Sequence, residues 1–113
     1  MIKPWIPIAI CTIFVTTSLH AYSAKGMVAY KKVCKQCHGS GFKGASMLES
    51  DEWEEMFEKR AEKLKRVHAD DPDATRVLNS NYFKRHYQSL GNFLRNNGRD
   101  MGVVRSCDGL NCG

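Results

Sequence analysis

The sequence predicts an all-α fold. Beyond residue 24, apolar side chains recur at three- and four-residue spacing in three separate segments, no run alternates as a half-buried strand does, and polar breakers fall between the segments. With 113 residues, 42% of them hydrophobic, the chain holds one domain at most. It is too short for a large α/β enzyme, and nine Gly with three Pro exclude a collagen-like or linker chain.

The amino-terminal stretch differs from the rest. Lys3 gives a basic start, Trp5 to Val15 is apolar, Thr16, Thr17 and Ser18 follow, and Ala21, Ser23 and Ala24 supply small residues. This reads as a secretory signal peptide over residues 1–24, cut after Ser23 or Ala24, with the domain over 25–113. The apolar run is broken by Pro7 and falls short of the roughly 20 residues a spanning helix needs, so membrane attachment is expected only if the segment stays uncut. Cys11 follows Ile10, where a lipid-attachment site needs a small residue, and is read as part of the signal. The mature chain is expected to be exported. Processing removes Lys3 and no acid, leaving 89 residues with a net charge of +4. A chain of that size buries only about 60–65% of its unfolded surface and commonly needs a disulfide, metal or cofactor for stability.

Three helices follow in order. The first runs from Gly26 to Cys34, with Met27, Tyr30, Val33 and Cys34 on one face. The second covers about Asp51 to Val67, with Ser50 as N-cap, acids in its first turn, and Trp53, Met56, Phe57, Leu64 and Val67 as its stripe. Asp70-Asp71-Pro72-Asp73 is read as a polar breaker. The third helix covers Asn81 to Asn97, with Phe83, Tyr87, Leu90 and Leu94 inward and Gly98 ending it. Gly91, within that helix, costs about 1 kcal/mol relative to Ala and suggests a close approach by another backbone or a bound group.

The informative residues are Cys34-Lys35-Gln36-Cys37-His38. Two thiols one helical turn apart can each add to one vinyl group of a haem, while the adjacent imidazole ligates iron from below, so the spacing is that of a c-type haem attachment site. Two other readings use the same residues. A four-thiolate zinc site would take Cys34, Cys37, Cys107 and Cys112, but the second pair is wider than zinc ribbons favour. A thiol–disulfide oxidoreductase would place the motif after a β-strand, and none is predicted before Cys34. Cys107 and Cys112, around Asp108-Gly109, are expected to close a local disulfide worth roughly 2 kcal/mol in an oxidising compartment.

Charge is segregated along the chain. Residues 25–48 carry Lys25, Lys31, Lys32, Lys35 and Lys43 and no acid, whereas residues 49–62 carry seven acids. A basic rim at the attachment site would steer an acidic redox partner, or serve simply as a solvated face. Nucleic acid is not an expected partner of a small exported chain with this modest charge.

With that motif in place the chain resembles the small bacterial class I cytochromes c, most closely the c-five-type subgroup. The resemblance rests on Tyr30, the motif Cys34 to Gly39, Gly41-Phe42-Lys43-Gly44-Ala45 and Trp53, spanning about residues 26–57. It implies an all-α, class I cytochrome c-like fold around one covalent haem c, thioether bonds from Cys34 and Cys37, His38 as proximal iron ligand, and first and last helices packed together. Two departures stand out. Ser46 occupies the place of the family's Pro, and the family's ligand Met followed by Pro is absent before the last helix. The sixth ligand therefore has four candidates: His68, first by its position after the second helix; Met101, next; then Met47 and His86. An open or water-ligated iron is the remaining case. The expected function is single-electron transfer in the bacterial periplasm between respiratory-chain or oxidoreductase partners, with no substrate turnover. A haem-bearing subunit of a periplasmic oxidoreductase and a five-coordinate, ligand-binding haem protein are the alternatives.

Overall fold

The computed structural model describes residues 24–102. Residues 1–23 of the expected signal segment, and Cys107 and Cys112 with their expected disulfide, lie outside the described residues. Every regular element within them is helical: α1 Ala24–Val33, α2 Lys35–His38, α3 Gly41–Ala45, α4 Ser50–Val67, α5 Pro72–Leu78, α6 Asn81–Asn96, and a 3-10 turn Arg99–Met101. No described helix is long and apolar enough to cross a membrane.

The core is organised by α1 lying across α6. Met27, Ala29 and Tyr30 of α1 are fully buried, and Phe83, Leu90, Phe93 and Leu94 of α6 form the opposing surface. The approach is close because Gly26 has no side chain: a Cβ there would lie 2.6 Å from both Phe93 Cβ and the Ser89 carbonyl oxygen. The Tyr30 and Phe93 rings then meet at 5.7 Å between centroids, within the range aromatic pairs favour. This is the first-to-last helix contact expected from the resemblance.

The middle of the chain departs from the sequence reading in four places. Glu49, not Ser50, caps α4; its amide donates to Glu52 Oε1 at 3.0 Å in a capping box. Ser50 is drawn into the first turn because its own amide donates to Asp100 Oδ1 at 2.8 Å, a partner fifty residues away. The run expected as a breaker instead starts α5: Asp71 Oδ1 accepts from the amides of Asp73 and Ala74, and Pro72 occupies the first helical position, where its missing N–H costs nothing. Asn97, not Gly98, closes α6, its Nδ2 donating to the Phe93 carbonyl at 2.8 Å. Gly98 serves proximity instead, since a Cβ there would lie 2.8 Å from the Ser50 nitrogen. Fourth, α4 is two helical pieces across a kink in which Lys59, Arg60 and Ala61 have φ of 50°, 57° and 62°. Left-handed backbone costs a non-glycine residue roughly 1–2 kcal/mol, offset in part by full burial of Ala61. Gly91 accommodates a side chain rather than a backbone, with the Phe57 ring 2.9 Å from where its Cβ would be.

Candidate functional site

The Cys-x-x-Cys-His segment continues from the end of α1 with a slight break. The Cys34 amide donates to the Tyr30 carbonyl at 2.8 Å, and the amides of Cys37 and His38 both donate to the Cys34 carbonyl, at 3.2 and 3.0 Å. One tight turn therefore holds both thiols and the imidazole. Gly39 follows at φ 80°, ψ −157°, a conformation essentially reserved for glycine, and the chain reverses there into α3. Two aromatic donors fasten what comes next: the Tyr30 hydroxyl donates to the Gly39 carbonyl at 2.9 Å, and Trp53 Nε1 donates to the Ala45 carbonyl at 2.7 Å. Gly44 is required beneath Tyr30, because a Cβ would run into the tyrosine ring.

Cys34, Cys37 and His38 open onto a cavity of about 560 Å³. That volume lies within the roughly 300–1,000 Å³ of sites that enclose small-molecule ligands and cofactors. Tyr30, Val33, Trp53, Phe57, Leu64 and Leu94 supply apolar wall, and Lys32, Asp71, Asp73 and Arg76 add charged groups to its lining. Among the aromatic residues of the predicted stripes, Tyr30, Trp53 and Phe57 face this cavity, while Phe83 and Tyr87 lie against each other at 5.9 Å elsewhere in the core. Helical periodicity alone gives both groups the same signature.

The four candidate sixth ligands separate cleanly. His68 and Met47 line the cavity; Met101 and His86 do not. Met101 sits in the 3-10 turn and is 49% exposed, and His86 stacks on Tyr82 at 4.3 Å between centroids. The His68 ring lies 6.2 Å from the His38 ring, centroid to centroid, with the planes at 86°. His68 Nδ1 is 2.7 Å from the Leu64 carbonyl oxygen, which can only accept, so the neutral ring is the tautomer with the proton on Nδ1 and the lone pair on Nε2.

Electrostatics distinguish the two cysteines. Burial, reinforced by the neighbouring Cys37, pushes the Cys34 thiol up to about 12. An attacking thiol of a disulfide oxidoreductase is shifted the opposite way. Burial, and then the proximity of His68, hold His38 below its ordinary value, favouring the neutral imidazole that a metal requires. The zinc reading calls on Cys107 and Cys112, outside the described residues.

Sequence reasoning missed the α5 wall. Ala74, Val77 and Leu78 all line the cavity. Their i, i+3, i+4 spacing directly after Asp71-Pro72 is the signal that finds them, an N-cap and first-turn proline opening a short amphipathic helix.

No family model, curated protein or solved structure matches the chain.

Proposed function

We propose that the chain is a periplasmic monohaem c-type cytochrome that carries single electrons between protein partners. The observation that carries this reading is the meeting of Cys34, Cys37 and His38 at one largely apolar cavity of about 560 Å³. The residues fit a haem in three respects: two thiols separated by one turn, a neutral-favoured imidazole directly after them, and walls that are largely aromatic and aliphatic.

A haem bound there supplies a one-electron iron couple. Cys34 and Cys37 would hold it covalently through two thioether bonds. His38 would hold the iron, and the Tyr30–Gly39 and Trp53–Ala45 hydrogen bonds keep its segment from shifting. Tyr30, Trp53, Phe57 and Leu64 provide the low-dielectric lining that damps solvent reorganisation when charge changes. Lys32 beside the cavity, with Lys35 and Lys43 on the same stretch of chain, suits an acidic docking face on the partner.

The test is expression with the leader in a host that attaches haem, followed by intact mass and oxidised and reduced absorption spectra. The wild type should gain the mass of one haem and show sharp reduced bands, while Cys34→Ala and His38→Ala should each fail to yield normal holoprotein. Full haem content and an unchanged spectrum in either variant would sink the assignment, and a wild type without haem would return the motif to the zinc or thiol readings.

A further inference from the structure

We infer that His68 Nε2 is the sixth ligand of the haem iron, so that the site is a bis-imidazole centre with its two ring planes near perpendicular. The inference rests on the proposed haem reading and deepens it.

Three independent features of the chain converge on this residue. The first is distance. Two imidazoles on opposite sides of one metal, each at a bond of about 2.0 Å with a ring half-width of about 1.1 Å, have centroids about 6.2 Å apart. The His38 and His68 centroids are 6.2 Å apart. The second is tautomer: with Nδ1–H donated to the Leu64 carbonyl at 2.7 Å, His68 has the outer hydrogen bond that metal-bound histidines use to fix ring orientation and raise basicity. The third is anchorage. The His68 amide donates to the Lys65 carbonyl at 3.3 Å, and the His68 carbonyl accepts from the Asp71 amide at 3.0 Å and from Thr75 Oγ1 at 3.3 Å. Both main-chain groups and one ring nitrogen are thus engaged, and Nε2 is the group left for coordination.

Its competitors lack this set. Met47 lines the cavity but is 41% exposed, and it follows His38 by only nine residues. Met101 and His86 are outside the cavity lining. Coordination by His68 breaks no bond and moves no proton, since the Nε2 lone pair is donated while Nδ1–H stays on the Leu64 carbonyl.

A thioether ligand raises the potential of a c-type centre relative to a second imidazole. This carrier therefore belongs among low-potential donors, and its reduction requires a partner more reducing than one serving a methionine-ligated cytochrome.

The experiment uses haem-loaded full-length protein, with haem content fixed first by intact mass. Oxidised wild type should be low-spin, should lack the weak red sulfur–iron charge-transfer band, and should give the strongly anisotropic electron paramagnetic resonance signal of perpendicular axial imidazoles. His68→Ala should turn high-spin and bind cyanide much faster, His68→Met should raise the midpoint potential, and Met101→Leu should leave all three readouts in place. A sulfur–iron band in the wild type, or a low-spin spectrum unchanged in haem-loaded His68→Ala, overturns the inference while the haem reading stands. A chain that takes up no haem overturns both. If a His68 variant fails to fold, the wild-type spectra still test the inference, because a sulfur–iron band or a high-spin iron overturns it.

Discussion

The α1–α6 crossing and the α4–α5 wall solve opposite packing problems. At the crossing, Gly26 lets two helices touch, and Met27 and Leu90 are completely buried away from the cavity. At the wall, Leu64, Val77 and Leu78 turn toward a cavity, Val67 is 56% exposed, and the chain runs through a left-handed kink to get there. The lesson is a division of labour: one side holds the fold together from its own residues, and the other shapes a space.

The severest test of that division is Gly26→Val. Its branched side chain would start 2.6 Å from Phe93 Cβ and the Ser89 carbonyl, and overpacking of this kind costs about 3 kcal/mol or more when backbone cannot yield. Urea unfolding should show it with or without haem, and a loss below about 1 kcal/mol would mean the crossing is looser than described.

A matched pair of leucines compares the regions directly. Leu90 is fully buried and does not line the cavity, whereas Leu78 is 5% exposed and does. Leu90→Ala should cost about 3 kcal/mol in both wild-type and Cys34→Ala/Cys37→Ala backgrounds, in line with core truncations. Leu78→Ala should cost about 1–2 kcal/mol in the double-cysteine background, where fewer protein atoms surround it, and more in holoprotein. Equal costs in both backgrounds would erase the distinction.

Trp53 joins the two regions, and Trp53→Phe removes its Nε1–H bond to the Ala45 carbonyl while retaining a ring. It should cost about 1–2 kcal/mol, because a buried carbonyl loses its donor, and chemical denaturation measures it. The smallest effect is a gain. Arg60 is exposed at φ 57°, so Arg60→Gly should raise stability by up to about 1 kcal/mol by relieving left-handed strain, less the entropy glycine adds to the unfolded chain. A lower melting temperature would show that the arginine side chain contributes more than its backbone costs.

The three long helices were legible because each carries enough turns for its apolar stripe to repeat. Cys34, Cys37 and His38 were legible because their spacing is itself the chemical requirement. What escaped notice had physical reasons. The seven residues of α5 give barely two turns of periodicity, and Asp-Pro signals a stop as readily as a start. The α4 kink carries neither Gly nor Pro, and Trp53, Phe57, Leu64 and Val67 keep a helical rhythm across it, so tertiary packing alone shows it. Ser50 is the stronger capping type, yet Asp100, half the chain away, claims its amide. For the sixth ligand the sequence could name His68, Met101, Met47 and His86 but not separate them, since membership in one cavity is a property of assembled helices.

The unequal exposure of the two cysteines bears on the order of events in the life of the chain. Cys37 is exposed, but Cys34 is partly covered at the end of a helix whose neighbours are the most deeply packed residues of the protein. On the haem reading, a planar group far larger than a side chain must reach both sulfurs, and docking of α1 onto α6 narrows the way to one of them. Attachment and folding are then competitors in time. A chain whose helices close first becomes a dead end for maturation, so haem offered to unfolded precursor should be incorporated more fully than haem offered to folded apoprotein.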